Sequence, residues 1–274
     1  MNPLRKPFNL VNLHGSGCFR SVTLALPTAQ VQGFLPAGLV LGPQDLTPPG
    51  THPVIVSFNA LQRAEMSVPT LLPALTYHEF TFGVPHCHLP AGRLGRALDA
   101  LTGRSGAAPR GPYYYMPRLF LDSVLATLGG LLYWGYAKRL ARFASSAGRF
   151  AIQAEDGRPL IELAYQAEGD PQPIDTQPAF AAVRALLDQP LVSQLPAAVG
   201  PIFVVADFDK HWPQATLRPL RTQVRVHAPI VPGFGPGLHP ADGQADGINQ
   251  SALGSYELNA PWLLGMPHAP MLRG

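Results

Sequence analysis

The stretch FAIQAEDGRPLIELAYQAE, residues 150–168, decides the class of the fold. Residues 150–155 and the run after Pro159 are strand-prone, and Asp156-Gly157 between them supplies the positive φ angles of a tight turn. Similar punctuation recurs along the chain. Thirty-one prolines and 27 glycines cut its 274 residues into short apolar pieces, the pattern of many strands and turns rather than of a helical bundle. Strands are expected at 22–26, 54–61, 76–84, 150–155, 159–168, 202–208, 220–228 and 254–258. Helical periodicity marks 93–101, 119–132, 136–143 and 179–187, and loops are read at 103–112, 169–178 and 232–249. The expectation is a single mainly β domain over residues 1–274, of α+β class, a barrel or sandwich with a few packed helices.

Composition narrows the function classes. Apolar residues make up 46% of the chain and charged residues 14%, too hydrophobic and too weakly charged for a disordered protein. The net charge of +3 is spread without a basic block, which argues against a nucleic-acid partner. Pro7, Asn12 and His14 interrupt the N-terminal segment before any apolar run of leader length, so secretion is not expected. Residues 119–136 are the most apolar, but Asp122, Ser123, Gly129 and Gly130 make a buried helix the expectation there, with no membrane partner. Cys18 and Cys87 have no CxxC spacing, so neither a disulfide framework nor a zinc site is implied, and a reducing cytoplasm is expected.

Chemistry points to lysine. The chain has three, Lys6, Lys138 and Lys210, against 17 arginines, and a lysine kept where arginine would serve as a charge invites a chemical explanation. Lys138 stands in GGLLYWGYAKRLARF, after an apolar and aromatic run and before Arg139 and Arg142. An amine attacks a carbonyl only when unprotonated, and a free lysine with pKa about 10.4 is protonated at neutral pH. Removal from water and a neighbouring cation both lower that value. Trp134, Tyr136 and Leu131-Leu132 are available to dry the site, and Arg139 is a permanent charge. The same residues also read as the solvated face of a short helix whose Tyr136, Leu140 and Phe143 point inward. In YHEFTFGVP, residues 77–85, Tyr77, Glu79 and Thr81 share one face of a strand, with His78, Phe80 and Phe82 on the other. That row fits either a cavity wall or a solvent-facing edge.

GYAKRLARF resembles the lysine motif of the acetoacetate decarboxylase family, in which an aromatic residue precedes two adjacent cations and a leucine. FLPAGLVL (residues 34–41), YHEFTFGVP, the segment leading into the lysine, GPIFVVADF and GSYELNAPWLLGMP resemble further family segments in the same order. The resemblance implies an antiparallel acetoacetate decarboxylase-like β-barrel that forms a Schiff base with a small keto acid and assembles as a homo-oligomer. Lys138 then matches the imine-forming lysine, Arg139 the adjacent cation that perturbs it, and Glu79 the glutamate of the Tyr-x-Glu strand. A lysine activated beside another cation is the known device of acetoacetate decarboxylase itself. Tyr77, Tyr136, Trp134 and Arg20 are the expected substrate-binding residues, Arg20 standing for the family's early arginine. No metal, flavin or nicotinamide is implied.

The chain departs from the pattern in three places. Ala137 replaces the usual proline, Arg139 the usual second lysine, and residues 54–61 hold no carboxylate where a second acid is expected. The expected reaction is decarboxylation of an acetoacetate-like β-keto acid, with two alternatives. One is an imine-dependent aldolase or dehydratase acting on a 2-oxo acid, and the other is a non-catalytic barrel that binds a small molecule. His86-Cys87-His88 brings two imidazoles to one face of an extended segment without a third ligand in view. GxSxG, GxGxxG and Walker-type loops are absent.

Overall fold

The computed structural model describes residues 11–68, 73–90, 110–176, 180–195, 202–240 and 254–268. The chain enters in β1 (Asn12–Pro27), turns through helix α1 (Thr28–Gln32) and β2 (Val40–Leu41), and continues in β3 (Thr51–Met66), β4 (Leu75–Leu89) and β5 (Arg110–Leu121). Helix α2 (Val124–Trp134) follows, then β6 (Lys138–Leu140), β7 (Arg142–Ser146), β8 (Arg149–Gln153) and β9 (Pro159–Ala167). The order ends with β10 (Gln172–Pro173), helix α3 (Phe180–Leu187), β11 (Leu191–Leu195), β12 (Ile202–Ala206), β13 (Phe208–Lys210), β14 (Thr216–Val226), β15 (Gly237–Pro240) and β16 (Ser255–Gly265).

The hairpin read from Asp156-Gly157 is present between β8 and β9. Gly157 has φ 86°, its N–H donates to Ala154 O at 2.9 Å, and Arg158 N donates to Asp156 Oδ1 at 3.0 Å. Aspartate thus caps the turn and glycine supplies its left-handed residue.

Among the described residues sixteen strands form one sheet whose main path is β12-β11-β5-β4-β3-β1-β16-β14-β9-β8-β7. The pairs are antiparallel except where β5 meets β11 and β6, so the sheet is mixed. It is also not closed into a barrel, contrary to the expectation, because β7 and β12 stand at separate ends of the path. The reason lies in β14. Its residues 216–219 pair with β16 and residues 220–226 with β9, so the sheet turns there and lays β8 and β9 back over β3 and β4. The apolar face is covered by folding over, as in a sandwich. Between these layers Phe58 meets Phe80 at 5.1 Å and Phe150 at 5.6 Å, and Phe82 meets Phe234 at 5.1 Å, all five rings fully buried. Burying one such ring is worth about 1.5–3 kcal/mol.

Two helical expectations change. Residues 119–121 belong to β5, and the helix begins only after Ser123, whose Oγ accepts from Ala126 N at 3.3 Å as an N-cap. Thr127, Gly130 and Trp134 are buried, but Leu128 and Leu132 are exposed, so it is not the fully buried helix expected. No described helix is long and apolar enough to cross a membrane. Residues 136–143 are not helical: β6 pairs in parallel with Leu119–Leu121, and β7 pairs with β8. Gly135 ends α2 with φ 66°, and a Cβ there would lie 2.5 Å from Leu195 Cδ2. The chain leaves the helix and finds the open edge of β5. Periodicity alone also missed β11 and most of β5, while the helix expected at 93–101 lies outside the described residues.

Candidate active site

The site begins with strand alternation. On β4, Tyr77, Glu79 and Thr81 face a cavity while Phe80 and Phe82 enter the aromatic core on the other face. The aromatic outer row is therefore covered by the chain's own second layer. His78, on that outer side, pairs with Asp122 at 2.8 Å. Glu79 lies opposite Asn59 on β3 and Leu121 on β5, and β6 then places Lys138 beside Leu119. As a result Lys138 Nζ lies 3.2 Å from Glu79 Oε2 and 3.5 Å from Ala126 O, the two charged side chains being 9% and 12% exposed. Helix α2 makes this possible at Gly130, where a Cβ would stand 2.3 Å from Lys138 Cδ and Cε.

The cavity has a volume of about 380 Å³ and a mostly apolar lining. Tyr77, Trp134 and Tyr136, three of the four residues expected to bind substrate, line it. Trp134 Nε1 donates to Gly265 O at 2.9 Å, fastening α2 to the end of β16. The Tyr136 hydroxyl is buried without a hydrogen-bond partner among the described residues, and its ring lies 5.9 Å from Lys138 Nζ. Burial, reinforced by Glu79, pushes the Tyr136 and Tyr77 hydroxyls well above the usual phenol range, so both stay neutral donors.

Two expected residues are not brought in. Arg139 is exposed and lines no part of the cavity. In a strand adjacent side chains point to opposite faces, so placing Lys138 inward turns Arg139 outward, beside Arg118. Arg20 is excluded for the same reason: Phe19 and Ser21 take the cavity side of β1, and Arg20 pairs instead with buried Glu257 at 2.9 Å. Arg218 completes that cluster at 2.7 Å from Glu257, and the Arg20 guanidinium lies over the Tyr165 ring.

No protein-family model and no curated protein sequence matches this chain. Solved structures do. The enduracididine biosynthesis enzyme MppR, complexed with the condensation product of pyruvate and imidazole 4-carboxaldehyde, aligns over 96% of this chain and 90% of its own, with TM-score 0.60 and 17% identity. An acetoacetate decarboxylase from Legionella pneumophila aligns over 94% and 87%, with TM-score 0.56 and 12% identity. An acetoacetate decarboxylase-like enzyme from Sphingomonas wittichii RW1 aligns over 93% and 91%, with TM-score 0.53 and 14% identity.

The chain has the acetoacetate decarboxylase-like fold.

Within this decarboxylase-like fold the cavity holds residues that the motifs did not single out. Lys210, counted from the sequence as one of three lysines, lines it, and its ammonium donates to Leu187 O at 2.7 Å and Phe208 O at 3.2 Å. Burial pulls its pKa down to about 8, with Asp188 and Asp209 opposing. The signal in the sequence was its rarity, since two of three lysines face one cavity. Ser57 and Asn59 on β3 and Gln189 before β11 add polar groups to the wall.

His86 and His88 belong to no group of three His, Cys, Asp or Glu side chains suited to a metal among the described residues. Cys18 and Cys87 are free thiols. His86 N donates to Gln189 Oε1 at 2.8 Å, and its ring lies 6.4 Å from that of His52. Burial, followed by the neighbouring His52 and His88, pulls its pKa down to about 4; burial also lowers that of His52. The unfolded chain binds these protons near pH 6.5 and the folded one resists them. Stability is therefore complete above about pH 6.5 and lost as pH falls from there toward 4. Melting temperatures across that range should drop steeply for the wild type and less for His86→Gln; equal slopes would show that this ring is not the group responsible.

Proposed function

We propose that the protein is a Schiff-base-forming lyase that decarboxylates a β-keto acid through Lys138. The observation that carries this reading is the Lys138–Glu79 pair, 3.2 Å apart at one end of an apolar cavity. A nucleophilic amine needs a base to hold the proton it sheds, and Glu79 is placed to take it. The neutral amine adds to the substrate carbonyl, and loss of water leaves a protonated imine. The imine accepts the electron pair released when the carbon–carboxylate bond breaks, giving carbon dioxide and an enamine. The proton Glu79 first took leaves with the expelled water, so a proton from solvent, relayed by Glu79, goes to the enamine carbon, and water then frees the ketone and the lysine as its ammonium. The buried Tyr136 hydroxyl, without a partner among the described residues, is available to donate to the carbonyl oxygen.

A second reading keeps the imine and couples it to aldol condensation or dehydration of a 2-oxo acid. It is favoured by the likeness to MppR, which was solved with pyruvate and with a pyruvate–aldehyde condensation product. Borohydride reduction in the presence of a keto acid, followed by intact mass, tests the imine common to both readings. Carbon dioxide release from a β-keto acid against product formation from pyruvate plus an aldehyde separates them.

The geometry changes what is expected of Arg139. Because its side chain lies off the cavity, Arg139→Gln should leave the rate of trapping and its pH profile as in the wild type. A profile displaced to higher pH would mean that the cation acts on the amine across the strand.

A further inference from the structure

The lining of the cavity changes character along the strands. Cross-strand register puts Glu79, Asn59, Phe19 and Leu258 in one row. On one side of that row stand Thr81, Ser57 and Ser21, with the Ser21 and Ser57 hydroxyls 2.9 Å apart and Ser57 donating to Asn59 Oδ1 at 2.5 Å. On the other side the Tyr77 hydroxyl is followed by an apolar stretch: Tyr77 pairs with Leu61, and past a bulge at Arg63 (φ 51°) Met66, Leu13 and Leu264 form a row with Phe208 alongside. The bulge matters because it brings Ala64 and Met66 back to the cavity face after Leu61. Leu13 is six residues from Phe19 on β1, roughly 20 Å of strand at about 3.3 Å per residue. Among the described residues the charged groups lining this stretch are Lys210, whose ammonium is held by two backbone carbonyls, and Glu65, whose side chain is 42% exposed.

A four-carbon keto acid displaces about as much as three or four waters, roughly 100 Å³, against the cavity's 380 Å³. We propose that the substrate is a keto acid with an extended apolar chain of about eight to twelve carbons, its carbonyl at Lys138 and its tail running past Leu61 toward Met66, Leu13 and Leu264. This deepens the imine reading and rests on it. The polar end takes the reacting carbonyl and carboxylate, and the apolar end takes the methylenes. Burying one methylene tightens binding about threefold to fourfold, so chain length is a sensitive readout.

The test is a series of straight-chain 3-oxo acids from four to twelve carbons, with two readouts. Wild-type protein is reduced with borohydride and the half-saturating concentration for mass gain is measured for each acid. Separately, the melting temperature of the Lys138→Ala protein is followed with the same acids, which reports binding without an imine. The half-saturating concentration is expected to fall about threefold per added methylene up to about ten carbons, and the melting temperature to rise in parallel. In Leu13→Trp the advantage of the ten-carbon over the four-carbon acid should shrink; the wild-type series decides the matter even if that variant folds poorly. Half-saturating concentrations and melting shifts that do not improve with length overturn the apolar-chain proposal. If no acid adds mass to the wild type while melting shifts still grow with length, the imine reading fails and the chain preference stands.

Discussion

In the Lys138→Ala protein, borohydride fixes no keto acid and decarboxylation falls to background, a loss of roughly a thousandfold or more, as for other nucleophiles whose removal leaves only binding and electrostatics. The expectation follows from position. Among the described residues Lys138 is one of two lysines on the cavity wall, and of these its amine alone has a carboxylate at hydrogen-bond distance. Lys210 gives its hydrogen bonds to Leu187 O and Phe208 O and has no such base. Alanine also strips Glu79 of its partner, and breaking a buried pair costs about 3–5 kcal/mol, so lost activity alone is ambiguous. Lys138→Arg separates the two effects. It keeps a cation beside Glu79 and should preserve most of the melting temperature, yet a guanidinium forms no imine under these conditions. With only three lysines in the chain, peptide mapping of the reduced adduct is unambiguous. A tag on Lys210, or undiminished trapping in Lys138→Arg, would rule out the proposed role of Lys138.

Gly130→Ala should be almost as damaging to activity while sparing the fold. The new methyl would occupy the space of Lys138 Cδ and Cε, 2.3 Å away, and stand 2.8 Å from Nζ. These atoms are the far end of a flexible chain, so the lysine yields rather than the helix. Alanine is favoured over glycine inside a helix by about 1 kcal/mol, which works toward keeping α2 intact. The displaced amine loses its contact with Glu79, and a misplacement of about 1 Å in a reacting group costs on the order of a hundredfold in rate. Gly129→Ala is the matched control, because a Cβ at that position meets nothing within 4 Å. Trapping and turnover should fall about a hundredfold in the first variant and change little in the second, with both melting temperatures at or above wild type. Equal activity in the two variants would show that the lysine does not depend on this contact.

Local chemistry by itself determined a good deal about this protein. Asp156-Gly157 specifies its hairpin because the positive φ that glycine tolerates and the aspartate cap act within a few residues. Tyr77, Glu79 and Thr81 share a wall because alternation is a property of any strand, and Lys138 stood out because lysine is rare in a chain with 17 arginines. Tertiary structure alone decided the rest. Residues 136–143 fit a helical period, yet the open edge of β5 offers Lys138–Leu140 backbone partners that no local pattern announces. That choice of strand over helix sends Arg139 to the opposite face from Lys138, and the parity of β1 sends Arg20 to Glu257. Gly130, Lys210 and Gln189 join the site from distant segments, and β14 turns the sheet over instead of closing it. These outcomes depend on which edges pair, and in what register. Those are long-range facts: a shift of one residue exchanges every inward side chain for an outward one while leaving the local sequence preference unchanged.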